Sequence, residues 1–480
     1  MHTRLLSGIS INQSKALFLI FGCIIVASAW LCAALDSLYP LAIPAFALLV
    51  YITIVDFKSV YFLLLACIPI SIEFELTDSF ATDLPTEPLT VGLMLVFGLY
   101  VAKNYKALKV SPILRHPITL LLLAHFAWIF MTMLNSESIY FSIKHFLAKW
   151  WYIVTFYFLT ILMLREKRDY VRFFRCVAIP LSMAVIITIL RHAAYDFSFE
   201  HINRVMSPMF RNHVNYGCAI AVFLPYLIMG RSWQRQGNLW WWILTAIILI
   251  FLAAIQLSFT RAAYVAILGA VGYYFIIKWR LTKMVVGIAC ITMIAGMTYL
   301  VNGNKYLDFA PKFERAVTHT KFDNLLEATA KGEDISTMER VYRWVAGVRM
   351  IAEKPYMGFG GNNFYNFYKS YTVTSFRTYV SENEDHSTVH CYYLLIAVEQ
   401  GIVGLILFLL LVFYVLIKGE QVYHKVTDDY KGIALATLLS FVIILILNLI
   451  NDLVETDKIG SFFFICMAII ANLDRKVEKY

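Results

Sequence analysis

Asp385-His386-Ser387-Thr388-Val389-His390 closes the one long stretch of this chain, Asn302 to Thr388, that carries no membrane-spanning hydrophobic run. The chain then re-enters an apolar segment through Glu399-Gln400-Gly401-Ile402-Val403-Gly404. Most other segments read as membrane scaffold. Of the 480 residues, 60% are hydrophobic and 15% are charged, against about 25% charged in a soluble domain. The composition therefore gives an all-α polytopic membrane protein.

A helix needs about 20 apolar residues to cross the hydrocarbon core. Working outward from the loop on that criterion predicts spans near 16–35, 39–55, 59–72, 88–102, 117–134, 146–164, 173–190, 214–230, 239–257, 262–278, 284–301, 389–417, 432–450 and 459–473. The pair at 39–55 and 59–72 is short and interrupted by Pro40, Pro44 and Pro69, so the expected number of transmembrane helices is about 12–14. The organisation follows: spans with short loops over 1–301, a loop domain over 302–388, and C-terminal spans over 389–480. Residues 16–35 lack a small-residue cleavage site and read as a retained first span rather than a signal peptide.

Lys and Arg set the orientation. With the N-terminus inside, the cytoplasmic segments hold 23 Lys and Arg, and the opposite short loops and span ends hold seven. The outer segments 73–87 and 451–458 are acidic. Both termini therefore face the cytoplasm and the long loop faces out. Net charge is +9, but the basic residues are scattered with no aromatic-interleaved patch, which excludes nucleic acid as a partner. The eight cysteines sit mostly in apolar runs without a CxxC pair, so neither a disulfide framework nor a cysteine metal site is expected.

The outer cations are the exceptions, and they cluster. Arg191, Arg204 and Arg211 share one loop that closes with Phe210-Arg211-Asn212-His213-Val214-Asn215. Arg261 ends Leu257-Ser258-Phe259-Thr260-Arg261, an outer turn between two spans with almost no linker. A charge pressed that close to hydrocarbon is paired or functional.

The loop contains a predicted amphipathic helix over 338–352. Val341, Trp344, Val345, Val348 and either Ile351 or Ala352 fall on one face, Arg340 and Arg343 flank that stripe, and Ser336 and Thr337 stand before it as caps. Lys354-Pro355 stops the helix, and Gly358-Phe359-Gly360-Gly361-Asn362-Asn363 follows as a turn. It is not a dinucleotide fingerprint, since no strand precedes it and GxGxxG is absent. The helix is expected to lie at the membrane surface and roof a cavity.

His390 opens the span after the loop, with His386 four residues earlier, so the two are expected on one helix face. HxxxH binds metal when a third ligand is supplied, but no HExxH accompanies it. A His at a helix start is a natural general base. Arginines beside one His suggest a division of labour. Guanidinium groups hold phosphate oxygens in fixed geometry without losing charge, while the His takes a proton. No DxD-type pair stands out, which argues against a metal-dependent nucleotide-sugar transferase.

These residues resemble the O-antigen ligase and polymerase superfamily of bacterial envelope glycan assembly. The resemblance rests on Ser258-Phe259-Thr260-Arg261, on Glu339-Arg340 to Arg343-Trp344, and on Pro355 to Gly358-Phe359-Gly360. It also rests on His390-Cys391-Tyr392-Tyr393-Leu394 running into Glu399-Gln400-Gly401-Ile402-Val403-Gly404. It covers roughly residues 200–480. It implies a GT-C-like glycosyltransferase of the inner membrane, with its site facing the periplasm, acting on glycan carried by undecaprenyl diphosphate. Arg211 and Arg261, with Arg340 and Arg343, would hold the diphosphate. His390 would activate the acceptor hydroxyl, with inversion at the sugar carbon and with neither metal nor cofactor. Thr260, His386 and Glu399 would support the site. The acceptor is lipid A–core for a ligase, or a lipid-linked glycan for a polymerase, and protein-glycosylating members also exist. A transporter of the same glycans would need ionisable residues at mid-membrane, whereas the notable charges here lie at one face.

Overall fold

The computed structural model describes residues 11–37, 39–77, 80–105, 112–303, 305, 335–373, 381, 383 and 387–478. Every apolar run picked out above lies on a helix. Among the described residues, ten helices are long and apolar enough to cross a membrane, which makes this an all-α, multi-pass membrane protein.

The first half contains helices α1 (Ile11–Leu35), α2 (Ala42–Val55), α3 (Phe57–Cys67), α4 (Thr86–Lys103), α5 (Pro117–Leu134), α6 (Ile139–Met163) and α7 (Lys167–Ala193). Helices α8 (His213–Ser232), α9 (Leu239–Leu257), α10 (Arg261–Lys278) and α11 (Thr282–Val301) lead to the long loop. The short pair α2 and α3 has 14 and 11 residues, each too short to cross alone. Asp56 makes the corner between them, its carboxylate accepting from the backbone N–H of Ser59 at 3.2 Å, a helix cap.

The acidic segment after α3 is an antiparallel hairpin, β1 (Ile72–Thr77) with β2 (Phe80–Leu84). The alternation Ile72-Glu73-Phe74-Glu75-Leu76 is the period of a strand. Glu73 lies directly across from Asp83.

Within the long loop lies α12 (Ile335–Glu353), and past the loop come α13 (Tyr392–Lys425), α14 (Asp428–Leu447) and α15 (Asp457–Val477). Helix α15 is buried on all sides from Ile459 to Asp474 and forms the axis of the core. It packs against α14 and α13, and α14 packs in turn on α8 and α10. Helix α1 lies at the periphery, with 6% of its apolar window buried, and Phe18, Trp30 and Leu268 are exposed. Apolar side chains on the rim of a helical bundle face lipid rather than water.

Two expectations change. The run at 389–417 is not one continuous helix, because Gly401 breaks α13 with φ +71° and ψ 179°. Helix α12 begins at Ile335, so Ser336 and Thr337 lie in its first turn rather than before it. Its buried face is also rotated from the predicted stripe. Met338, Tyr342, Val345, Ala346 and Met350 are buried, together with Glu339 and Arg343. A count of apolar residues misses a face that buries a paired acid and base.

Candidate functional site

The break at Gly401 is the socket for the turn at 355–361. A helix interrupted there leaves carbonyls without their usual partners four residues on. The turn supplies them. The N–H of Phe359 donates to the Val398 carbonyl at 3.0 Å and that of Gly360 to the Glu399 carbonyl at 2.8 Å. In return the N–H of Ile402 donates to the Pro355 carbonyl at 2.8 Å. The buried Glu399 carboxylate accepts from the Phe364 N–H at 3.2 Å. No side chain fits between. A Cβ on Gly401 would sit 2.0 Å from the Tyr356 carbonyl oxygen, and one on Gly358 would sit 2.5 Å from that of Val398. Both glycines have positive φ, where L side chains are strained. The two glycine-bearing motifs are therefore halves of one joint.

The segment 387–390 is held between α12 and α13. Arg343 donates to the Thr388 carbonyl at 3.0 Å and pairs with Glu339 at 3.4 Å. Trp344 Nε1 donates to the Val389 carbonyl at 3.0 Å. The N–H of Tyr392 reaches the carbonyls of Asn448 and Asn451. Between these fixed points His390 adopts φ +52°, the left-handed region that a non-glycine residue occupies at a cost of about 1–2 kcal/mol. His390 is thus not helical, and His386, expected to share a helix face with it, lies outside the described residues.

The strained backbone aims the imidazole at the loop before α15. His390 Nδ1 stands 3.7 Å from Asp452 Oδ1, and Thr388 Oγ1 donates to Asp452 Oδ2 at 2.5 Å. Burial raises the Asp452 carboxyl, but the nearby His390 and the hydrogen bond from the Thr388 hydroxyl outweigh it and hold the group below the usual carboxylate range. A carboxylate at Nδ1 favours the tautomer with its proton there, leaving Nε2 as the basic nitrogen. The His390 side chain is 30% exposed, open enough to meet a substrate.

The arginine side is built around the start of α8. Asn212 caps that helix, its side-chain oxygen accepting from Asn215 N–H at 2.9 Å. Thr260 Oγ1 donates to the His213 carbonyl at 3.0 Å, which ties the 258–261 turn to it. Gly217 permits that approach, since a Cβ there would meet Ser258 Oγ at 2.6 Å and Thr260 Oγ1 at 2.9 Å. Phe259, at φ +51°, turns the chain so that Arg261 becomes the first residue of α10. Its charge acts on His213. A helix N-terminus carries partial positive charge and repels a cation. Arg261 and the first amides of α10 together favour an anion.

Arg211 is exposed and lines a cavity of about 610 Å³. Lys458 shares the wall, donating to the carbonyls of Ile68 and Ser71 at 3.0 Å each. Carboxylates of Glu73, Asp83, Glu87, Glu455 and Asp457 supply another part of the lining, and Phe74, Trp151, Tyr152 and Phe210 supply aromatic surface. Burial, then the charge of Asp457, pushes Asp83 up to about 7 against the opposing pull of Lys458. Glu455 receives Lys149 Nζ at 2.7 Å, and Lys149 also reaches the Tyr392 hydroxyl at 3.3 Å. One loop therefore serves both places: Asp452 faces His390, and three residues on Glu455 faces the cavity.

Of the residues expected in the site, Arg211 lies on the cavity, and Arg261 and Thr260 flank the start of α8. His390 lies across the loop with Asp452. Arg343 is buried, and its hydrogen bonds go to Thr388 and Glu339. Arg340 is half-buried on α12. Glu399 belongs to the glycine joint. Sequence reasoning missed Asp452, Lys149 and Glu455 as partners. The acidic run after the 432–450 span was the available signal, and it served only to orient the chain.

No curated protein matches this chain. The family model described as O-antigen ligase matches residues 245–409, a stretch that includes the Arg261 turn, α12, the glycine joint and His390. The apolar helices make the chain a multi-pass membrane protein, and over that stretch, about a third of its length, it is similar to the O-antigen ligase family.

Proposed function

We propose that this chain is an inverting, metal-independent glycosyltransferase of the inner membrane with its site facing the periplasm. It transfers glycan from undecaprenyl diphosphate to a hydroxyl of lipid A–core. His390 Nε2 takes the proton of the acceptor hydroxyl as the oxygen attacks the anomeric carbon. The bond from that carbon to the diphosphate oxygen breaks, and the diphosphate leaves with the electron pair. Arg211 and Arg261 hold its oxygens, a preorganised charge that strengthens as the bond breaks. Asp452 keeps the imidazole oriented and stabilises it once protonated, as a carboxylate does for a catalytic His in acyl transfer. Arg343 fixes the backbone of 387–390 from below.

The observation that carries this reading is the His390–Asp452 pair at 3.7 Å, on a backbone held in the left-handed region. Strain of this kind clusters at functional sites. The test is glycan analysis in a host lacking its own ligase and polymerase, complemented with wild type or His390→Ala. Long glycan on lipid A–core with wild type alone supports the ligase. Chains that lengthen but stay on the lipid carrier replace it with the polymerase, which differs in the acceptor. A mutant matching wild type removes His390 from the chemistry.

A further inference from the structure

The 610 Å³ cavity beside Arg211 falls in the range of about 300–1,000 Å³ for ligand pockets. Its lining is unusual for a diphosphate site alone. Arg211 and Lys458 contribute two cations, while Glu73, Asp83 and Glu87 on the hairpin side, with Asp457, contribute more negative charge. The hairpin register adds an independent observation. Glu73 and Asp83 are directly opposed across β1 and β2, and like charges so placed destabilise a sheet. Glu87 is held in place by Thr82 Oγ1 at 2.7 Å. Two carboxyl groups crowded together at the wall of a cavity are relieved by a ligand that brings donors.

A sugar ring brings hydroxyl donors on its rim and an apolar face. Carboxylates accept from hydroxyls, often two at a time, and Trp151, Tyr152 and Phe74 offer flat apolar surface. We infer that this cavity binds the glycan residues next to the diphosphate and selects rings that are neutral or carry an amino group, excluding those that carry a carboxylate. The inference rests on the reading of Arg211 as a diphosphate ligand. The diphosphate sits at the Arg211 side and the rings extend toward the hairpin. A uronic acid there would add a further carboxylate to Glu73, Asp83 and Glu87, and Lys458, the cation that acts on Asp83, is already engaged by Asp457 and the Ile68 and Ser71 carbonyls.

The test separates binding from transfer. Binding of short-chain polyprenyl diphosphates bearing either glucose or glucuronic acid is measured on purified full-length His390→Ala protein in detergent. The neutral ligand is expected to bind at least tenfold more tightly. The double change Glu73→Gln with Asp83→Asn is expected to shrink that ratio toward one, and Glu87→Gln alone to shrink it in part. Equal binding of the two ligands by the parent overturns the selectivity, as does a ratio that none of the variants changes. Loss of both ligands in Arg211→Ala supports the diphosphate end independently, and unchanged binding there sinks the underlying reading instead. Transfer assays on the same donor pair with wild type should follow the binding ratio.

Discussion

Asp452 approaches His390 at Nδ1, 3.7 Å away, across 62 residues of chain that include α13 and α14. The carboxylate is fixed on its other oxygen by Thr388. Replacing it with Asn keeps the shape and removes the charge that orients the ring. Asp452→Asn should lower turnover roughly 10- to 100-fold, the usual effect of losing the partner that orients a functional His. His390→Ala should cost about 10²- to 10⁴-fold, the range for a general base. Single-turnover transfer to a soluble acceptor measures both. Equal rates for wild type and Asp452→Asn would make the pair structural.

The same pair sets a dependence on acid. The folded state holds Asp452 below its ordinary value of 3.8. Its contribution to stability is therefore full above the unfolded value and is lost as pH falls through the lower folded value. The melting temperature of wild type should exceed that of Asp452→Asn at pH 7, and the gap should close below about pH 4. Asp83 has the opposite sign. Its folded value is raised to about 7, so its protonated form is favoured in the fold and the wild type loses stability as pH rises from its ordinary value of 3.8 to about 7. Asp83→Asn should match wild type most nearly below about pH 4 and melt higher at pH 8.

Gly401 and Gly358 tolerate no side chain. Ala at Gly401 must leave the positive-φ region or displace the Tyr356 carbonyl that a Cβ would meet at 2.0 Å. The strained backbone alone costs about 1–2 kcal/mol, and the clash adds to it. Gly401→Ala should lower the melting temperature clearly more than Gly272→Ala, whose added Cβ meets nothing within 4 Å. Comparable melting of the two variants would show that the joint yields easily.

Arg211 and Arg261 should differ from Arg343 in kinetic signature. A hydrogen bond to a charged group is worth about 1.5–3 kcal/mol, or roughly 10- to 150-fold, so Arg211→Ala and Arg261→Ala should lower kcat/KM for the lipid-linked donor by that much. Lys should rescue them only in part, since it lacks the planar fork. Arg343→Met removes a bond to Thr388 rather than to substrate. It should lower kcat with little change in donor KM. A rise in KM for Arg343→Met instead would place its guanidinium on the diphosphate.

The sequence by itself determined the apolar helices, and it singled out a sidedness, His390 and the exceptional arginines as expectations. Hydropathy and charge bias are local properties that survive without coordinates, and the ordered motifs are strings. The amphipathic helix was legible as a helix, but its buried face was not. Arg343 and Glu339 count as polar on a helical wheel until Thr388 and Ser381, which bonds Glu339 at 2.6 Å, are brought to them. The tertiary structure alone decided that His390 is strained rather than helical, that Asp452 is its partner, and that Gly358 and Gly401 interlock. It also decided that Glu73 faces Asp83 beside Arg211. Each of these is a contact between residues far apart or on a rebuilt backbone. Its energy comes from desolvated charge, shared hydrogen bonds and excluded Cβ volume, quantities defined only once the helices have packed.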